Sequence, residues 1–205
     1  MPLAANKIPR VVNLSSVGAQ LDHGVGPVSR LHDIEQTINA VAANVTHLRP
    51  GAFMENVLMS IETIESAGAM HLPIRGAAKV PMATRDIAEA AASLLLDGTW
   101  SGRRAVTLYG PEGLSHGDVA TVLTEILGKP VNHVEVTPEQ ARQAMLKMGL
   151  TANLVRLLLE LYDAISTGRI VRGLPAKPDL RGTTTFRELA TTVVKPLLGR
   201  ARGGI

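Results

Sequence analysis

Short apolar runs that alternate with stretches of helical spacing constrain this chain more than any motif in it. The runs are RVVNLSS (10–16), VTHLRPG (45–51), KVPMA (79–83), AVTLYG (105–110) and VNHVEV (131–136). Helical patterns occupy 28–43, 54–66, 84–97 and 115–127. Strands that alternate with helices of this length predict parallel βα units rather than a sandwich. The first two runs are almost continuously apolar, as expected of central strands covered on both faces.

After residue 137 the pattern predicts helices only. Thr137, Pro138 and Gln140 form a helix-start signal in which Gln140 completes a capping box. A helix over 151–166 stops at Gly168, residues 172–182 read as a loop, and TFRE (185–188) starts a last short helix. The expected fold class is α/β: a parallel sheet part followed by a smaller, mostly helical lobe. The sheet part is expected over 1–110 and the lobe over 111–205. Hydrophobic residues make up 45% of the 205 residues, enough for a sizeable core.

Several function classes fit poorly. No apolar run approaches about 18 residues, so no membrane span is expected. The start, MPLAANKIPR, has no apolar core behind its charges and does not read as a secretory leader. The chain has no cysteine, which excludes disulfides and thiolate metal sites and suits a reducing, cytoplasmic setting. From Arg169 onward eight Lys/Arg face two Asp/Glu, a basic tail on a chain whose net charge is +3. A nucleic-acid groove would interleave such charge with stacking aromatics, yet aromatics are 2% of the chain, so a solvated basic surface is expected. The six histidines include no His-x-x-x-His pair or carboxylate cluster, and no metal site is expected.

In open α/β sheets ligands bind beyond the carboxyl ends of the strands. Ser15 and Ser16 end the first run, and Pro50-Gly51 end the second. A serine hydroxyl there can bond a carbonyl or a ribose, and Gly51 allows a flat ring to approach the backbone. Serines also cap turns and glycines make them, so spacing alone leaves both roles open. GVGPVS (24–29) imitates a phosphate loop but lacks a third glycine, and Pro27 removes a donor; it reads as a surface loop. GLSHG (113–117) imitates a hydrolase elbow, but Ser115 with Asp118 reads better as a helix-capping box.

Five segments in order carry a resemblance over nearly the whole chain: VVNLSSVGA, LHDIEQTI, VTHLRPGAFMEN, ATRDIAEAAASLL and LYGPEGLSHGDVATVLTEILGKPV. They resemble the NmrA-like group of atypical short-chain dehydrogenase/reductases, and the Arg-Pro-Gly-x-Phe-Met-Glu-Asn corner is the most specific element. The resemblance implies the C-terminal part of a Rossmann-like parallel sheet with a smaller, mostly helical substrate lobe, and an NAD or NADP cofactor. It implies that Phe53, Met54, Glu55 and Asn56 line the cofactor pocket beside Gly51, with Ser15 and Ser16 nearby. Members of the group begin with further βα units that hold the glycine-rich phosphate loop, on the order of 90 residues for three units. A strand as apolar as 10–16 with only nine residues before it fits the same idea. The expectation is therefore an N-terminally truncated member that lacks the phosphate-binding loop.

The resemblance implies hydride transfer from NAD(P)H to a small carbonyl or quinone held between sheet and lobe. Met145, Met148, Leu150 and Leu154 would shape the acceptor site, or simply pack the core. Two departures bear on turnover. Neither Tyr109 nor Tyr162 has the lysine four residues later that relatives in the wider superfamily use. The Lys or His that the group often places four residues before the glutamate matching Glu35 is Leu31 here, with His32 beside it, about 100° around a helix. His32 therefore reads as an ordinary helix-surface histidine, with a proton donor or ribose ligand as the alternative. The rival readings are a dinucleotide-sensing regulatory protein without turnover, and an inactive fragment whose exposed strand 10–16 pairs with another chain. The expected partner is a small-molecule substrate, with no nucleic acid and no membrane; a homo-oligomer is compatible with the sequence.

Overall fold

The computed structural model describes residues 8–75 and 81–201, with backbone alone at 199–201. Four strands form one parallel sheet in the order β1-β2-β4-β6: β1 (Val11–Leu14), β2 (Val45–Pro50), β4 (Arg103–Tyr109) and β6 (Leu180–Arg181). Val11 faces Val45 in the first pair, Val45 faces Arg103 in the second, and Leu108 faces Leu180 in the third. The helix α1 (Ser29–Val41) lies between β1 and β2 in sequence. The helices α2 (Ile61–Ala67) and α3 (Thr84–Leu96) follow β2. This is the expected parallel α/β architecture.

A second, two-stranded parallel sheet pairs β3 (Ala69–Leu72) with β5 (Asn132–Glu135). The run 131–136 therefore leaves the main sheet, which the sequence pattern did not foresee; AMHL supplies its partner directly after the α2 cap at Gly68. Of the run 79–83, Lys79 and Val80 lie outside the described residues, and Met82 makes only a single bridge to Phe53. The segment 172–182 is not all loop, because β6 returns to the sheet from it. The edge strand β1 is half-buried rather than covered on both faces, and Leu14 is 54% exposed. Only β2 is buried as a central strand should be.

The later helices are α4 (His116–Leu127), α5 (Pro138–Lys147), α6 (Ala152–Ser166), α7 (Phe186–Leu189) and α8 (Lys195–Ala201). Both capping boxes read from the sequence form, Ser115 with Asp118 and Thr137 with Gln140. Thr151 caps α6 and Gly168 follows it in the left-handed conformation. The last helix is longer than TFRE suggested: α7 runs through a π-helical turn, Ala190–Val194, into α8.

Two apolar cores result. Leu48, Met82, Ile87 and Leu108 fill the first, between the sheet and α3. The second gathers Met54, Ile64, Met70, Leu123, Phe186, Val194 and neighbours from α2, β3, α4 and the last helices. Two glycines are required where these parts meet. A Cβ on Gly110 would lie 1.9 Å from the Pro81 carbonyl, and one on Gly182 would lie 2.3 Å from Asp86 Oδ2. Asp86 is buried on α3 and accepts hydrogen bonds from the amides of Thr183 and Thr184 and from the Thr184 hydroxyl at 2.6 Å. Residues 180–184 are thereby held to the sheet part. No helix of the described residues is long and apolar enough to cross a membrane.

Candidate functional site

The alternation of side chains along β1 and β2 decides what lies at the carboxyl end of the sheet. Val12, Leu14 and Leu48 face α3, whereas Asn13, Ser15, His47 and Arg49 face α1. An apolar strand that places polar residues at every second position needs partners for them, and α1 supplies these. Glu35 is 2% exposed and is the buried residue of that helix. Its carboxylate accepts a hydrogen bond from Ser15 Oγ at 2.6 Å and a two-pronged bond from Arg49, with Nε 3.0 Å from Oε1 and Nη2 on Oε2. Beside it, His47 accepts from the Asn13 amide through Nδ1 and donates from Nε2 to Asn39 Oδ1, both at 3.1 Å.

Burial alone would push the Glu35 carboxyl up. The Arg49 and Ser15 bonds overcome that and hold it below the usual carboxylate range, so it stays ionised. Burial pushes His47 down and the nearby Arg49 cation adds to this against the opposing pull of Glu35; the ring is therefore held neutral. The cluster thus contains one compensated ion pair and one neutral imidazole.

The corner after β2 divides its residues between different surroundings. Gly51 donates its amide to the Leu108 carbonyl at 2.9 Å and continues the ladder past the strand end. Phe53 is half-buried against the first core, while Met54 is buried in the second. Glu55 reaches the start of α3, where its Oε1 accepts from the Thr84 amide at 2.9 Å and from the Thr84 hydroxyl at 2.6 Å. Asn56 is exposed. The Phe-Met pair is therefore a watershed between the two cores, and Phe53 and Asn56 retain surface that a ligand could meet. Ser15 is buried and committed to Glu35. Ser16 is half-buried, with its hydroxyl on the Val17 carbonyl.

His32 is half-buried and donates from Nδ1 to the Ala19 carbonyl at 3.0 Å, which pins the segment after β1. GVGPVS is more than a surface loop: Val25 and Gly26 are buried, and the segment leads through a short 3-10 turn into α1. Gly26 has φ +61°, and a Cβ there would lie 2.1 Å from the Leu157 carbonyl. Its missing side chain serves contact with α6. Met148 and Leu154 are exposed and Met145 and Leu150 half-buried, so none of the four packs a core.

Two cavities are formed by the described residues, of which the second reaches the strand end and the corner. One, of about 310 Å³, lies between residues 22–30 and α6 and is lined by Asp22, Arg30, Asn153, Arg156 and Glu160 among others. The other, of about 230 Å³, is an apolar groove between β1 and α3, lined by Val12, Leu14, Phe53, Ile87 and Leu95. Among the described residues no group of three or more His, Asp or Glu is placed to hold a metal ion.

Sequence reasoning missed the roles of His47, Arg49, Asn13 and Asn39 and used Glu35 only as a landmark. The available signal was the period-two pairing of Asn13 with Ser15 and of His47 with Arg49 in otherwise apolar strands.

No protein-family model matches the chain. The chain is 32% identical over 188 residues to an NAD(P)H azoreductase of Xenophilus azovorans, covering 89% of this chain and 64% of that protein. The fold matches an NADPH-dependent quinone oxidoreductase of Escherichia coli with a TM-score of 0.72 at 22% identity, covering 95% of this chain and 70% of that one. It also matches NmrA, a negative transcriptional regulator solved in complex with NADP, with a TM-score of 0.68 at 17% identity, covering 98% of this chain and 68% of that one. The chain spans about two thirds of the length of these proteins. The chain is thus similar in sequence to an NAD(P)H azoreductase, and its fold is the one that the quinone oxidoreductase and NmrA share.

Proposed function

We propose that the whole protein built on this chain is an NAD(P)H-dependent oxidoreductase of a small carbonyl or quinone acceptor, and that the corner after β2 walls the nicotinamide end of the cofactor. One observation carries the reading: β1 and β2 are adjacent parallel strands, and they end in Ser15-Ser16 and in Pro50-Gly51-Ala52-Phe53 at the edge of the sheet where α/β proteins bind ligands. The residues present fit that end of a dinucleotide. Phe53 offers a half-buried ring, Asn56 an uncommitted amide at the surface, and Gly51 a backbone without a side chain. The other end has less support, because the glycine of GVGPVS closest to a phosphate-loop pattern is engaged with α6.

When bound, the dinucleotide supplies hydride. This chain's contribution is to hold the ring against Phe53, keep water from that face, and orient the acceptor. The 310 Å³ cavity between residues 22–30 and α6 supports an acceptor site between a sheet part over 1–110 and a helical lobe over 111–205. Arg30 and Arg156 at its rim suit an acceptor with oxygen or anionic substituents.

A second reading, dinucleotide sensing without turnover, is favoured by the state of the two tyrosines. Burial pushes both Tyr109 and Tyr162 up, which makes each a poorer proton donor at neutral pH than a free phenol. Titration with NADH and NADPH by cofactor fluorescence, followed by consumption assays over a quinone panel, separates the two. Consumption is expected under the first reading and binding alone under the second; neither result would remove both. Asn56→Ala should weaken dinucleotide binding, and an unchanged affinity would take Asn56 out of the site.

A further inference from the structure

We propose that Glu35 is a positioning residue: its carboxylate fixes the ends of β1 and β2 in one arrangement and thereby aims the corner that carries Phe53 and Asn56. The inference deepens the reading above, since it takes that corner as the dinucleotide wall.

The helix α1 gives up apolar burial at this position. Its apolar residues Leu31, Ile34 and Ile38 would favour burying their own stripe, yet Ile34 is 44% exposed and Glu35 is 2% exposed. A helix that buries a carboxylate in place of an isoleucine gains nothing from desolvation, because taking the charge out of water opposes folding. What it gains is direction. Apolar contacts tolerate sliding and rotation, whereas the Glu35–Arg49 fork fixes both distance and plane.

The same carboxylate holds Ser15 at the end of β1 and Arg49 one residue before Pro50, so three elements share one fastening point. Beyond it the strands run on through Val17 N–H to the Pro50 carbonyl and Gly51 N–H to the Leu108 carbonyl, both at 2.9 Å. These two bonds set where the chain turns toward Phe53. An apolar residue at position 35 would pack α1 as well and would leave both strand ends without that fastening.

The test uses the 205-residue protein with Glu35→Gln and with the double replacement Glu35→Met/Arg49→Met. The double variant removes both charges, and replacing a buried pair by apolar residues of similar size leaves stability near or above the original. Amide hydrogen exchange is read at Val17 and Gly51, with Leu123 and Val131 in the second core as references, and NADPH affinity is read by fluorescence.

In both variants exchange at Val17 and Gly51 is expected to rise by about tenfold or more relative to the references, and NADPH affinity to fall about tenfold, a change equivalent to about 1.4 kcal/mol. The double variant decides between positioning and plain stability: its Tm is expected to return to the wild-type value while the corner stays loose. Recovery of exchange and affinity together with Tm would overturn the proposal, as would a rise in exchange shared equally by the reference amides. If the 205-residue chain binds no dinucleotide, the affinity arm passes to the whole protein and the exchange pattern still decides the role of Glu35. Unchanged exchange at both corner amides in Glu35→Gln would overturn it even where affinity falls.

Discussion

The two faces of the β1–β2 pair are built on opposite principles. Toward α3 the contacts are Leu48, Met82, Ile87 and Leu108, without a charge among them. Toward α1 they are Ser15, His47, Arg49, Glu35 and Asn39, a hydrogen-bonded set around one ion pair. The apolar face supplies adhesion that is proportional to area and indifferent to angle. The polar face supplies little net adhesion and a defined geometry. Stability and aim are thereby assigned to separate surfaces of one sheet, with the candidate site at the end where both meet.

The largest effect is expected on the polar side. Arg49→Met leaves Glu35 ionised and buried without its partner, and should cost about 3–5 kcal/mol in denaturant unfolding at neutral pH. The loss should shrink in acid, where the stranded carboxyl takes up a proton. Leu48→Ala, on the opposite side of the same strand, should cost about 2–5 kcal/mol by loss of contact and an unfilled cavity. That loss should be the same at every pH, and a pH-dependent loss would contradict the division into two faces.

Next is the pH profile of the unaltered chain. The folded pKa of His47 lies below its ordinary 6.5, so between the two values the unfolded chain binds the extra proton and stability rises with pH. That contribution is fully present above about 6.5 and is lost as pH falls toward the folded value. Glu35 and Asp86, also held below their ordinary 4.5 and 3.8, add a second loss as pH falls through their lowered values. Thermal melts should therefore show two descending steps in acid, and His47→Gln should remove the upper one. A smaller effect is expected from Thr184→Val, which deletes the hydroxyl bond to Asp86 and leaves both amide bonds; about 1 kcal/mol should be lost. The smallest belongs to Leu14→Lys on the exposed side of the apolar face, where stability should stay within about 0.5 kcal/mol.

What could be read from residues alone followed the same division. Features encoded over three or four positions were legible: the caps at Ser115 and Thr137, the stop at Gly168, and the parallel βα order of β1, β2 and β4. Those features depend on bonds between near neighbours. Features decided by distant segments were not. VNHVEV has the pattern of any half-buried strand, and nothing within it distinguishes β4 from AMHL as a partner. LR at 180–181 is too short to carry a pattern, and it becomes a strand only because Tyr109 and Asp86 receive it.

At the site, the corner was legible as a distinctive string, but its division between two cores was not. Phe53 and Met54 are alike in type, and only the bridge to Met82 and the crowding beside Gly110 send them to opposite sides. Glu35 was hidden for a different reason. Leu31 and Ile38 flank both Ile34 and Glu35 on the helix, so the spacing alone favours burying Ile34, and the true orientation is set by Arg49, fourteen residues downstream.

The attachment of Asp86 to Thr183 and Thr184 bears on synthesis. Its partners follow it by 97 and 98 residues, so for nearly half the translation of this chain a carboxylate destined for the interior has only water to satisfy it. The edge of β4 that receives β6 stays open for a similar time. Nascent chains arrested before residue 184 should keep that end of the sheet unsealed and accessible to chaperones or proteases, and the sheet closes only when Thr183 and Thr184 leave the tunnel.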